Sequence, residues 1–497
     1  MGQKINRLFL PAVHTFVCLF GMASWLDING LWIQLPILVN YLPEGWALAS
    51  YLILIIQIAN IGPIVFSVAN KFTTRKIEIP TNYIIIVVGV IACLLLVPFW
   101  DRTSYVNGRE HSTAFLILSG LLALVDCTSS LSFLAFMSSF PREFMSSYFV
   151  GEGFSALVPS VLGLIQGVGG NPECLDHTYI NTTIIGNRTV NTTSYVTEYY
   201  YPPPRYSVEL YFTLLAILLC LSLASFALLV HVPKISGIQE NEKRGRNASD
   251  EKSVDNSFEL YDVDKLTATE LYDKGHGKSN PSDGKHAHMQ DEFARKESNV
   301  SIYLGKETSH DSEKILTGTN TAFLSRGDWI YLLALQAWSC CLTNGVMPSI
   351  QSYSTLPYGN QAYHLAVTLG LTMIPTASLC VHWLPAKSNL SVGVLSGLAT
   401  LVSAYILYLS LMSPYPPLCG NVWGPTLSVI SWLMFYFIFT YVKVSIGGRF
   451  RELGRSALIW YGGVTQIGSF LGAIVIFPLV NVLYLFESND PCQFTCY

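Results

Sequence analysis

Charge is what this sequence has least of. Only 12% of its 497 residues are Asp, Glu, Lys or Arg, about half the share of a soluble domain. That charge is also unevenly spread: 14 of the 29 Lys and Arg residues fall between Lys234 and Arg326. The rest of the chain suits a solvent that does not hydrate ions. Also missing are a Cys/His cluster with metal-ligand spacing, a glycine-rich phosphate loop and a nucleophile elbow. Enzyme readings are thereby left without their usual machinery. A net charge of −4 offers no basic surface for nucleic acid. No metal, cofactor or nucleic-acid partner is expected, and no obligate protein partner.

What is present is a series of long apolar runs. A spanning helix needs about 20 mostly apolar residues. Eleven stretches qualify, near 14–39, 48–69, 80–99, 113–138, 145–168, 207–232, 328–350, 361–384, 389–411, 423–446 and 457–485. The first follows Lys4 and Arg7 as a signal peptide would, but it is too long and carries Trp25, Asn29 and Trp32. It reads as a retained helix. The expected fold is an all-α membrane protein of about 11 transmembrane helices. A short N-terminus (1–13) leads into a six-helix bundle (14–232), which contains a loop at 169–206. A polar, disordered linker (233–326) joins it to a five-helix bundle (327–485) and a C-terminal tail (486–497).

Lys and Arg gather on the cytoplasmic side of short loops. With the N-terminus inside, eleven fall inside (Lys4, Arg7, Lys71, Arg75, Lys76, Arg142, Lys387, Lys443, Arg449, Arg451, Arg455) and four outside (Arg102, Arg109, Arg188, Arg205). The linker is then cytoplasmic and the C-terminus extracellular. Three glycosylation sequons, at Asn181, Asn187 and Asn191, crowd the loop that this count places outside, where glycosylation occurs. Four cysteines, Cys174, Cys419, Cys492 and Cys496, share that oxidising side. They allow three connectivities; Cys419 with Cys492 or Cys496 is the favoured pairing, because both segments flank the last helices.

A short internal repeat accompanies this topology. Asn29-Gly30 followed by Leu42-Pro43-Glu44-Gly45 is matched by Asn344-Gly345 followed by Leu356-Pro357-Tyr358-Gly359. A late proline follows each, at Ile61-Gly62-Pro63 and Ile374-Pro375. Both first helices run in the same sense, so the halves form a 6+5 parallel pseudo-repeat of the major-facilitator type, with a substrate site between them near the midplane.

Polar side chains within the spans are the candidate site. Trp25, Asn29 and Trp32 share one face of helix one, and Asp27 and Gln34 share another. Gln57, Asp126, Asn344, Gln351 and His364 lie in other spans. Indole faces stack on flat rings, and Asn and Gln match an imide-like edge. The bland alternative is interhelical glue at about 0.6 kcal/mol per hydrogen bond, and for any one Asn or Gln it is slightly favoured. This chemistry alone does not separate one heterocyclic vitamin from another, or from a nucleoside.

Longer motifs are more specific. Gly21-Met-Ala-Ser-Trp25-Leu-Asp-Ile-Asn29-Gly30-Leu-Trp32, Leu124-Val-Asp126-Cys-Thr-Ser-Ser130, Phe149-Val-Gly151-Glu152-Gly153, Leu342-Thr-Asn344-Gly345-Val-Met-Pro-Ser349 and Tyr441-Val-Lys443 resemble the eukaryotic riboflavin transporters of solute carrier family 52. The resemblance implies sodium-independent riboflavin uptake at the plasma membrane and a fold like the equilibrative nucleoside transporters. It makes Trp25, Asn29, Gln57, Asp126 and Asn344 candidate ligand contacts, to which the residues of the spans add Trp32 and Gln351. Asp27, Gln34, Glu44 and His364 become candidates for gating or coupling. The chain departs from the family in having Gln34 where a Glu is expected and Asp27 where an uncharged residue is expected. Asp27 is thus expected to replace the missing carboxylate in pH sensing or helix pairing. The rival readings are a carrier of nucleosides or another ring vitamin, and a receptor without flux.

Overall fold

The computed structural model describes residues 9–73, 77–185, 188–232, 325–386, 388–488 and Cys492. The expected linker, all but its last two residues, lies outside that set, as do Asn187 and Cys496. Among the described residues ten helices are long and apolar enough to cross a membrane, and a bent pair makes an eleventh. The reading of about eleven helical spans holds.

The first span is the bent pair, α1 (Phe9–Met22) and α2 (Leu26–Leu38), meeting at 54°. The sequence predicts one continuous helix there. The break survives because a neighbour satisfies the backbone groups it frees, as any break at membrane depth requires. The neighbour is α6 (Thr113–Met137). Its Ser129 Oγ donates to Ser24 O at 2.7 Å, and its Asp126 Oδ2 accepts from Ile28 N at 2.9 Å. A carboxylate at the start of α2 also suits the helix dipole.

The rest of the first half comprises α3 (Leu48–Ala59) and α4 (Ile61–Phe72), which form one span, then α5 (Glu78–Phe99), α7 (Arg142–Gln166) and α8 (Val208–His231). Phe20 centres its core, ringed by Phe133, Phe136 and Phe226 at 4.2, 5.6 and 4.9 Å between centroids. On α4, by contrast, Ile61, Ile64 and Val65 are exposed, as lipid-facing side chains are.

The second half opens with α9 (Arg326–Cys341), then a π-helical turn (Leu342–Val346) and two short helical pieces (Met347–Ser349 and Gln351–Thr355). Four long helices follow: α10 (Asn360–Trp383), α11 (Asn389–Leu411), α12 (Trp423–Glu452) and α13 (Arg455–Asn481). The first span of this half is irregular too, through a π-helical turn rather than a bend. The repeat extends to backbone shape: Gly45 and Gly359, which close the two matched Leu-Pro-x-Gly stretches, both have positive φ, 52° and 108°, where glycine alone is unstrained.

The 169–206 loop carries structure that was not expected. Strands β3 (Glu173–Ile185) and β4 (Arg188–Tyr200) pair antiparallel, Glu173 opposite Tyr200 and Ile185 opposite Arg188; a second, smaller hairpin pairs Ser104–Val106 with Arg109–His111. Asn181 and Asn191 lie on the long hairpin, opposite Thr192 and Thr182. One of the two favoured disulfide pairings needs correction. Cys174, at the base of that hairpin, bonds Cys492 with Cα atoms 5.6 Å apart. Cys419 with Cys492 is thereby excluded; Cys419 is itself disulfide-bonded. The Cys492 alternative failed because it weighed proximity in sequence, whereas the hairpin brings a residue 318 positions distant to the tail; the Cys496 alternative falls outside the described residues.

Candidate functional site

The two irregular first spans carry matching side-chain bonds. In the first half, Asn29 Nδ2 donates to Ser155 Oγ on α7 at 3.5 Å. In the second, Asn344 Nδ2 donates to Ser469 Oγ on α13 at 3.0 Å. Each asparagine belongs to the first span of its half and each serine to the fifth. A link then crosses between the halves: Gln57 Nε2 donates to Asn344 O at 3.3 Å, while Gln57 Oε1 accepts from Asn60. Asn29 and Asn344 are both half-buried.

Other expected residues divide by position. Trp25 is half-buried at the kink of the first span. Trp32 is buried and reaches Tyr436 of α12 in the other half. Gln351 is fully buried, and neither atom of its amide has a protein partner. Its unmet capacity makes it a strong ligand candidate, because buried polar groups are normally hydrogen-bonded. Asp126 points instead into the first half, where it caps α2. Asp27 joins it there, its carboxyl beside that of Asp126 and accepting from Cys93 Sγ at 3.7 Å.

Toward the end of the bundle that carries the disulfide, the halves are stitched together. Ser352 Oγ donates to Trp46 O at 2.5 Å, Asn481 Nδ2 to Ser50 Oγ at 2.8 Å, and Asn360 N to Asn171 Oδ1 at 3.1 Å. Glu44 holds this region from within the first half. Its carboxylate accepts from Ser112 N, Ser112 Oγ and the His111 ring at 2.9, 2.6 and 3.2 Å. A cavity of about 530 Å³ lies beside these stitches, lined by Gln166, Asn171 and Arg205 of one half and Gln361 and His364 of the other. Gln34 binds Gln166 Oε1 at 2.6 Å, and His364 Nδ1 has no protein partner. Next to the cavity, burial pushes the Tyr206 hydroxyl up to about 12, so it remains a donor to Leu162 O.

Residues 10–488 match the family model described as solute carrier family 52, riboflavin transporter. The chain belongs to that family. Similar relatives of this family 52 member include riboflavin transporter member 3-A of Danio rerio and member 3 of Homo sapiens. Each is 37% identical over 97% of this chain and 99% of its own. Human member 1 is 34% identical over 100% and 99%. Among solved structures, a bacterial homologue of the human lysosomal transporter Spinster, inward-facing and unoccupied, covers 96% of this chain and 82% of its own at 10% identity and a TM-score of 0.42. A POT family transporter in complex with 5-aminolevulinic acid covers 97% and 92% at 11% identity and a TM-score of 0.45.

For this family 52 member, sequence reasoning passed over Ser155, Ser469, Thr343 and Ser129. Each is a small hydroxyl residue on an apolar helix and, taken alone, reads as filler. The spacing of Asp126 and Ser129 on one face of α6 was the available signal for a pair acting on one target.

Proposed function

We propose that the chain is a riboflavin transporter of the plasma membrane, mediating sodium-independent uptake by alternating access and performing no catalysis. The carrying observation is the matched pair of first spans, one bent and one carrying a π-helical turn, each presenting a half-buried asparagine tied to a serine of the fifth span. Discontinuous helices at the repeat interface free backbone and amide groups for a substrate. Full-length relatives named riboflavin transporters supply the substrate. Trp25, Asn29, Trp32, Gln57, Asn344 and Gln351 are the proposed contacts. Asp126 acts by holding α2 in place, and Asp27 joins that helix pairing. Gln34, Glu44 and His364 govern the stitched end. The N-terminus is cytoplasmic and the disulfide end extracellular, which fits both the Lys/Arg bias and the oxidising chemistry a disulfide needs. The stitching at that end corresponds to an outward-closed state.

The test is uptake of labelled riboflavin into proteoliposomes, with and without a sodium gradient. Wild type is expected to accumulate riboflavin equally in both, and Asn29→Ala and Asn344→Ala to lose at least about tenfold in apparent affinity, about 1.4 kcal/mol. Uridine uptake that riboflavin does not compete for would sink the reading.

A further inference from the structure

Lys443 lies on α12 within the span, half-buried. Its ammonium donates to Thr343 Oγ1 at 3.0 Å, and among the described residues no carboxylate lies within ion-pair distance of it. An intramembrane cation with no counter-charge is costly to keep and by default marks function. What it does here follows from hydrogen-bond direction. An ammonium only donates. Thr343, having accepted from Lys443, must send its own hydrogen onward, and the acceptor in reach is Asn344 Oδ1 at 3.1 Å. The Asn344 amide is thereby fixed with its oxygen toward Thr343 and its nitrogen toward Ser469. Ser469 Oγ passes its hydrogen to Thr465 O, and Thr465 Oγ1 donates to Tyr461 O. Separately, Tyr461 OH donates to the backbone carbonyl of Lys443 at 3.1 Å and ties α13 to α12. The π-helical turn is what brings Thr343 and Asn344 beside Lys443, and such turns concentrate at functional sites.

We infer that Lys443 is a positioning residue that sets the polarity of the Asn344 amide and so the donor–acceptor pattern shown to substrate. After its bonds to Thr343 and Ser469, the amide retains one N–H and one oxygen lone pair. That pair of groups complements a ring imide, whose N–H donates and whose carbonyl accepts. Among the described residues Asn29 has no corresponding cation; its side-chain bond there is the one to Ser155. The second half therefore reads the imide edge, and the first half adapts to it. The inference rests on riboflavin being the substrate.

The experiment measures uptake of riboflavin and of 3-methylriboflavin, which lacks the imide hydrogen, by wild type and by the Lys443→Met, Lys443→Arg and Thr343→Val variants, each normalised to protein in the membrane. Wild type is expected to prefer riboflavin. Lys443→Met and Thr343→Val are expected to shrink that preference at least about tenfold, mainly through KM, and Lys443→Arg to restore most of it. A general packing defect would slow both substrates equally and leave the ratio unchanged. If Lys443→Met does not reach the membrane, Thr343→Val decides alone. A preference retained in the variants that reach the membrane overturns the role of Lys443. Absence of riboflavin uptake by wild type instead overturns the function, and the Lys443 role with it.

Discussion

The two halves meet the same demand, an irregular first span, by different means. In the first half the break is served from outside: α6 lends Asp126 and Ser129 to the freed backbone groups, and Asn29 is left with a bond at 3.5 Å. In the second half the irregularity is a π-helical turn whose asparagine is locked by two directed bonds beginning at Lys443. Backbone repetition has thus not carried side-chain chemistry with it. One half holds its amide rigidly and the other loosely, and a carrier with that asymmetry fixes orientation on one wall while accommodating on the other.

That contrast can be broken at several points. The largest effect is expected from severing the covalent link between halves. Cys174→Ser should lower stability by about 2–4 kcal/mol, read as a drop in thermal midpoint in detergent, and reduction of wild type, which also opens the Cys419 disulfide, should lower it at least as far. Next are the paired glycines. A Cβ on Gly345 would lie 2.7 Å from the Gly472 backbone, whereas one on Gly30 would meet the far end of the Leu215 side chain at 2.3 Å. Backbone cannot step aside and a leucine methyl can. Gly345→Ala should therefore cost about 1–3 kcal/mol, and Gly30→Ala markedly less; equal melting shifts would refute this. Smallest is the serine pair. Ser469→Ala should weaken riboflavin uptake about fivefold, the worth of an ordinary hydrogen bond of about 1 kcal/mol. Ser155→Ala should change uptake less than twofold, because a bond at 3.5 Å sits at the limit of useful geometry. A reversed order in the uptake assay would remove the asymmetry argued above.

The spans were legible because a bilayer leaves its mark on composition: twenty apolar residues in a row have few other uses. The repeat was legible from Asn29-Gly30 and Asn344-Gly345, which the structure places in equivalent bonds. The kink at Ala23-Ser24-Trp25 was not, since none of these residues breaks a helix. Its cause sits about a hundred positions away in α6, and a periodicity read along one segment cannot see it. The long hairpin had a local signal in its Thr, Tyr, Ile and Val content, masked by the sequons that invited a loop reading. Lys443 was counted with the cytoplasmic charges, because its partner Thr343 becomes visible only once α12 is packed against the π-helical turn.

The Cys174–Cys492 bond gives one half a leash on the other. A covalent bond does not lengthen, so if the bundles part at that end, the slack must come from chain on either side of the sulfurs. The two-stranded ribbon anchored at Glu173 and Tyr200 is the natural spring, able to flex without losing its ladder. The width to which the mouth can gape would then be set by the compliance of a ribbon that touches no substrate, and stiffening that ribbon would throttle the whole cycle.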